Sequence, residues 1–416
     1  MLLSVTNSGC GIFPFSSSRT AIPTEPKSFP YETNIVIADN DIYQNNRAGV
    51  RIRGDRPVKI IDCEIYQNGV TGVSLNRSAR VSLDNCNIYL NKTGGVATKD
   101  AEQLILTNSK IHQNIRGGVR IQTTTHSPSE TTHAVVENNR IYLNERAGIY
   151  ALSTATTRTE LIVSGNTIHR NKRSGIRIED NVSMIASNNK IYENETAGIS
   201  SYTLHKNAPM LDAYQNSIYS NDGAGIFIHA GITGQIGLTN NLIHNNYRAG
   251  IACGLWGELD DKYIDVEILH NTIFANGSAL EGAGIRNDSD GDVLIKNNII
   301  AYNFKTGIMT KACQDNSYNL LFANGETSTP PDQLTGAASF LLERIQYAGC
   351  KGRRSGDVLA VPEFVNPDLH NFSLRESSPA IGAASRLDAP YFQDLQSTDI
   401  GVIPNLLPDD FFPVER

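Results

Sequence analysis

A single motif returns along almost the whole chain, and it restricts the fold more than any other property. Ile42-Tyr43-Gln44-Asn45 recurs as Ile65-Tyr66-Gln67-Asn68, as Ile141-Tyr142-Leu143-Asn144 and as Ile243-His244-Asn245-Asn246. With looser copies ending at Asn276, Asn303 and Asn324, neighbouring asparagines lie 21 to 30 residues apart. A repeat of that length is one small structural unit. It cannot bury its apolar face alone and becomes stable only when stacked on its neighbours. Leucine-rich repeats of similar length need regularly spaced leucines, which this sequence does not have.

Each repeat reads Asn-x-Ile-[Tyr/His]-x-Asn, a short turn, Gly-[Ile/Val]-x-Ile, and then a third apolar alternation such as Val58/Ile60 or Val81/Leu83. Alternation of period two marks short strands with one face turned inward. Three strands per repeat, closed by turns, make one coil. About a dozen coils stacked at roughly 4.8 Å make a rod on the order of 50 Å long. Stacking turns each position into a column of like residues. In the column Asn45 to Asn324, an amide can donate to the next coil and accept from the previous one. A second column contains Asn40, Asn139, Asn166, Asn189, Asn216, Asn241, Asn271 and Asn298, with Cys63 and Cys86 in adjacent coils, read as stacked thiols rather than a disulfide. Glycines such as Gly118 and Gly175, just before the second strand, imply unusual dihedrals or a close backbone approach.

Composition agrees with a narrow aliphatic interior: 40% hydrophobic residues but only 7% aromatics and 4 Met, with 34 Gly. The net charge of −7 argues against a general nucleic-acid binder, which needs an accumulated basic surface. No apolar run approaches the ~20 residues of a membrane span. The six cysteines show no zinc-ligand spacing and read as buried free thiols.

The repeat over residues 34–325 resembles that of the pectate-lyase-like superfamily, in its bacterial branch of right-handed parallel β-helices. The resemblance implies an all-β, single-stranded right-handed β-helix of about 12 coils. It leaves activity open, because that superfamily includes lyases, hydrolases, epimerases and proteins without catalysis. Residues 1–33 read as a partial coil (Asn7 to Ile12) with a proline-containing loop or cap. No signal peptide is visible at Met1, and we expect the natural product to begin further upstream. Residues 326–416 read as a C-terminal cap with a short helix over Asp332–Tyr347, followed by segments that resemble the tail closing secreted β-helix proteins. The resemblance therefore implies export to a secreted or cell-surface location.

Superfamily members that act on sugars hold substrate along an outer strand face between loops. Here the outward columns of the Gly-[Ile/Val]-x-Ile strand gather polar and aromatic groups from Arg120 to His229. The coil ending in Arg177-Ile178-Glu179-Asp180 turns at once, whereas its neighbours carry long loops, so it forms a cleft floor. Candidate catalytic residues are Arg177, Glu179, Asp180 and His229. Candidate substrate-binding residues are Arg120, Tyr150, Tyr202 and Lys206, with Trp256, Glu258, Asp260 and Asp261 as a wall. Two carboxylates would serve a glycosidase. A cationic or phenolic base, with a cation or Ca²⁺ neutralising a uronate, would serve a lyase or epimerase.

Three further features read first as structure. The stripe Arg47, Arg116, Arg146, Arg173, Arg248 and Lys305 is expected to pair with carboxylates such as Glu145 and Glu195. The aromatic stripe from Tyr43 to Phe274 is expected to stack between coils. Asp288, Asp290 and Asp292 form an acidic turn that could bind Ca²⁺ but lacks full EF-hand spacing. The expected function is recognition, with cleavage or epimerisation open, of an extracellular polysaccharide with acidic character. The alternative is a noncatalytic adhesion rod. Oligomeric state is not legible from these residues.

Overall fold

The computed structural model describes residues 35–124, 131–154, 156, 158–203, 209–229, 235–254, 265–278, 282–289, 291, 293–310, 316–325, 347–348, 355–385 and 399–401. Three parallel sheets of twelve strands run its length. Sheet A begins at Ile35–Ala38 and ends at Asn316–Ser317, sheet B runs from Asp41–Tyr43 to Leu320–Phe322, and sheet C from Val50–Arg53 to Tyr347–Ala348. Every third strand in the sequence pairs with the next of its own sheet, the topology of a single-stranded β-helix with twelve coils. Among the described residues no helix is long and apolar enough to cross a membrane. The helix expected over Asp332–Tyr347 lies outside the described residues, apart from Tyr347, which opens the last strand of sheet C.

The interior is one continuous column of aliphatic side chains. Ile65, Ile88, Ile111, Ile141, Ile168 and Ile191, from the recurring motif, are fully buried in successive coils. Burying such a side chain contributes roughly 1.5–3 kcal/mol, and each coil supplies several. Cys63, Cys86 and Cys253 are free and buried within the same core. Burial pushes the Cys86 thiol up to about 11 and the Cys253 thiol up to about 12, so neither is a nucleophile at neutral pH. Cys10, Cys313 and Cys350 lie outside the described residues.

The corners explain the asparagines. The residue before each column asparagine is left-handed: Gln113, Leu143, Arg170 and Glu193 have φ of 53°, 54°, 53° and 51°. That conformation costs about 1–2 kcal/mol for a residue with a Cβ. It is held by the amide ladder that follows. Asn144 Nδ2 donates to Ile111 O of the previous coil (3.0 Å) and to Asn171 Oδ1 of the next (3.0 Å), while its backbone N–H also donates to Asn171 Oδ1 (3.1 Å). The same pattern links Asn45 through Asn324. The second column is longer than its asparagines suggested. Ser109 bridges Cys86 to Asn139, and Asn319 extends the far end.

The glycine column owes its identity to close approach rather than to its dihedrals. A Cβ on Gly175 would sit 2.6 Å from Ile191 Cγ2 and 2.9 Å from Gly198 O. Past the last coil, Val358 pairs with Leu320, and Asp357 accepts from Asn319 N–H (2.9 Å) and Tyr347 O–H (2.6 Å). The antiparallel hairpin of Phe364–Asn366 and Asn371–Leu374 then folds back over the outer side of sheet B. There Phe364 and Phe372 pack with Leu242, Ile299 and Leu320.

Candidate functional site

Sheet B carries the aromatic stripe. Nine rings, from Tyr43 through His244, stack face to face with centroids 4.7–5.2 Å apart and planes within 10°. Such a stack places its ring faces against each other and presents edges outward. A sugar needs a free ring face, so the ladder is a structural spine. His370 and Phe372 of the hairpin close over its C-terminal rings. His169 is shorter than the tyrosines flanking it and is buried, with neither ring nitrogen hydrogen-bonded among the described residues. Burial lowers its pKa to about 4, helped by nearby Arg170, and lowers that of His244 to about 3, helped by His370.

An acid-sensitivity prediction follows from the sign of these shifts. Unfolded histidines protonate near pH 6.5, whereas these two resist protonation in the fold. The unfolded chain therefore binds more protons between pH 6.5 and 4, and stability falls as pH drops through that window. His169 contributes a loss on the order of 3 kcal/mol there. His169→Phe should keep the stack and flatten the pH dependence of the urea midpoint. An unchanged dependence would refute the assignment.

The basic stripe lies at the corner between sheets B and C. The expected partner Glu145 goes to Lys172 instead (2.6 Å), and Arg170 pairs with Glu193 (2.6 Å). Arg47, Arg116, Arg146 and Arg173 have no ion pair among the described residues.

The outward face of sheet C assembles the central candidates. Parallel register sets Arg120, Tyr150, Arg177, Ser200 and Phe227 in one column. Gln122, Leu152, Glu179 and Tyr202 form the next, with His229 one coil further. Arg177 donates through Nε and Nη2 to Glu179 Oε1 (both 2.5 Å), and Tyr150 O–H donates to Glu179 Oε2 (2.6 Å). The Glu179 side chain is only 6% exposed, so this is a largely desolvated, charge-assisted cluster. The Arg177 guanidinium lies 3.9 Å from the Tyr202 ring centroid, and Tyr202 stacks on His229 at 5.4 Å. Side chains of four successive coils thus form one connected unit. Arg120 extends it to a fifth, exposed, 5.9 Å from the Tyr150 ring centroid and bonded to Gln122 (3.0 Å).

The electrostatics restrict the chemistry open to this face. Burial first, and then the bond to Glu179, pushes the Tyr150 pKa well above the usual phenol value. Burial also raises Tyr202, outweighing Arg177 and Arg173, whose charges favour its phenolate. Neither phenol is a ready base at neutral pH. Asp180 is buried at the strand end with φ 55°, a turn residue that leads directly into sheet A at Val182. His229 Nδ1 is buried and has no hydrogen-bond partner among the described residues.

Lys206, Trp256, Glu258, Asp260, Asp261, Asp290 and Asp292 lie outside the described residues. Asp288 is bonded to Arg286 (2.9 Å), a partner that competes with any cation. No group of three His, Cys, Asp or Glu among the described residues could hold a metal ion. The sequence columns already contained Arg53 and Lys99 in line with Glu179. They stand apart from the denser polar groups around Arg177.

Two overlapping stretches, residues 30–161 and 129–264, match the family described as right handed beta helix region. The chain belongs to the right-handed β-helix family. Solved structures similar to this β-helix include the A-module of the Azotobacter vinelandii mannuronan C-5 epimerase AlgE6, at 15% identity and a TM-score of 0.46, covering 79% of this chain and 81% of that one. The A-module of AlgE4 from the same organism is 14% identical with a TM-score of 0.44, covering 77% and 91%. Pectate lyase Pel9A is 12% identical with a TM-score of 0.38, covering 78% and 88%. At these scores the likeness carries no argument about activity. No curated protein matches this β-helix in sequence.

Proposed function

We propose that the protein recognises an extended acidic polysaccharide laid along the outer face of sheet C, outside the cell or in the periplasm. One observation carries the reading: Arg120, Tyr150, Arg177, Glu179, Tyr202 and His229 come from five successive coils and meet on one face. Four coil steps span roughly 19 Å, the length of a short run of sugar units. Arg120 offers an exposed guanidinium to carboxylates, while the Arg177–Glu179–Tyr150 cluster holds the floor rigid.

Chemistry on a bound uronate would fall to His229, whose imidazole can accept the proton α to the carboxylate. Delivery of a proton from water to the opposite face of that carbon would epimerise the sugar. Expelling the β-linked oxygen instead cleaves the chain. Hydrolysis by paired carboxylates has less support, because three donors already engage Glu179 and Asp180 sits in the turn. A noncatalytic adhesion rod is the second reading, favoured by the internal neutralisation of Arg177 by Glu179.

The test is calorimetric titration with oligouronates and with a neutral glucan, beside assays for new reducing ends, unsaturated uronate and C5 inversion. Uronate binding that Arg120→Ala weakens roughly tenfold is the expected result, equivalent to one charge-assisted contact. Equal binding of the neutral glucan, or none of either, would dismiss the reading. Binding with no chemistry in any assay would select the rod.

A further inference from the structure

A cleft of about 490 Å³ opens on the N-terminal coils, lined by Arg53, Asn76, Arg77, Lys99, Asp100 and Thr124. Arg53, Asn76 and Lys99 occupy one column of sheet C in three successive coils, and Arg77 follows at the corner toward sheet A. Among the described residues Arg53, Arg77 and Lys99 make no ion pair or hydrogen bond through their side chains. Among the described lining residues the one carboxylate is already engaged: Asp100, 4% exposed, accepts from Thr124 N–H (2.6 Å) and Thr124 O–H (3.0 Å). Three free cations therefore face one concavity in a protein whose net charge is −7. Among the described residues the Asp100 carboxylate offsets only part of this like charge, and an entering anion would neutralise more of it.

The backbone beneath is held in an uncommon conformation. Arg77 and Ser78 are consecutive left-handed residues, with φ of 41° and 52°. Each costs on the order of 1–3 kcal/mol, and both are pinned by bonds to the next coil, Arg77 N–H to Lys99 O (3.1 Å) and Ser78 N–H to Asp100 O (2.9 Å). The pinned backbone fixes the point at which the Arg77 side chain leaves the corner.

We propose that this cleft is a second anion-binding subsite, which takes the carboxylate or sulfate of an acidic sugar unit. The inference rests on the reading of sheet C as a polysaccharide face and deepens it. Lys99 stands three coil steps from Glu179 in the same column, and Arg53 stands five, about 24 Å away. Arg120 lies on the path between them. One acidic chain of about half a dozen units reaches from the cleft to the central cluster, so binding should strengthen with chain length up to that span. The acidic unit can be an internal residue of that chain or a free sugar, and two ligands separate these sources.

The experiment compares hexagalacturonate with free galacturonate, on the full chain and on the triple variant Arg53→Gln/Arg77→Asn/Lys99→Gln. Asn at position 77 tolerates the left-handed backbone, and circular dichroism would verify the coils. The variant should bind hexagalacturonate at least tenfold more weakly and with a shallower salt dependence. Amide NMR signals of Asn76 and Thr124 should shift with hexagalacturonate in the parent protein but not in the variant. The same shifts with free galacturonate would show that the cleft accepts a single unit. Shifts with the hexamer alone would show that it holds part of a longer chain. Hexamer affinity in the variant within twofold of the parent would overturn the inference while leaving the central face standing. If the hexamer misses the central face, so that Arg120→Ala changes nothing, the cleft is still decided by the Asn76 and Thr124 signals. Their failure to move with either ligand would end it.

Discussion

Replacing Asn171 by Ala is expected to remove on the order of 4 kcal/mol of stability, among the largest effects of any single substitution in this chain. Asn171 Nδ2 donates to Ile141 O, His169 O and Asn194 Oδ1, and its Oδ1 accepts from the backbone and side-chain nitrogens of Asn144. Alanine deletes all five bonds and takes the acceptor from the buried Asn144 backbone N–H, while Asn144 Nδ2 keeps Ile111 O and Tyr142 O. It also removes the clamp after the left-handed Arg170. Ser109 occupies the equivalent place in the second column and bonds both its neighbours there. Asn171→Ser should therefore lose about half as much, since one hydroxyl restores part of the network. Denaturant unfolding measures both. A loss below about 1 kcal/mol for Asn171→Ala would mean that the ladder is incidental to stability.

The second large effect is expected at the floor of the sheet C face. Arg177→Ala should cost about 3 kcal/mol, because Glu179 would stay buried with only Tyr150 to solvate its charge. Glu179→Gln should cost less. The stranded Arg177 side chain is 24% exposed and keeps the Tyr202 ring as a partner. The double variant Arg177→Met/Glu179→Gln removes both charges while keeping bulk, and should recover to within about 1 kcal/mol of the parent. It is also the cleanest functional variant, since loss of uronate binding in a protein of near-normal stability cannot be ascribed to unfolding. If Arg177→Ala alone were as stable as the parent, the pair would be solvated and the picture of a desolvated floor would fail.

The architecture was legible because the motif repeats in register. Once Ile42, Ile65 and Ile88 align, the inward face, the twelve coils and both asparagine columns follow from alternation alone. Local causes were less visible. The glycines admitted two explanations, and the nearness of Ile191 Cγ2 to Gly175 decided for close approach. Aligned columns also set Tyr150 beside Arg177 and Leu152 beside Glu179. They could not say that Arg177 folds onto Glu179 in its own strand, because side-chain choice depends on burial created by neighbouring coils. Arg77 escaped for a different reason. It stands at the corner rather than in a column, and only the left-handed turn joins it to Arg53 and Lys99.

The asparagine ladder also has a direction. Each amide hands its N–H to the coil that follows, so a row of such links has unlike ends, one offering oxygen and the other offering hydrogen. Left unfinished, the hydrogen-offering end is a template on which another molecule could continue the row, head to tail and without closure. Asp357 stands where the next link of the second row would be. A carboxylate takes what Asn319 gives but has no N–H to pass on. The second row therefore ends on a side chain that accepts from Asn319 and Tyr347.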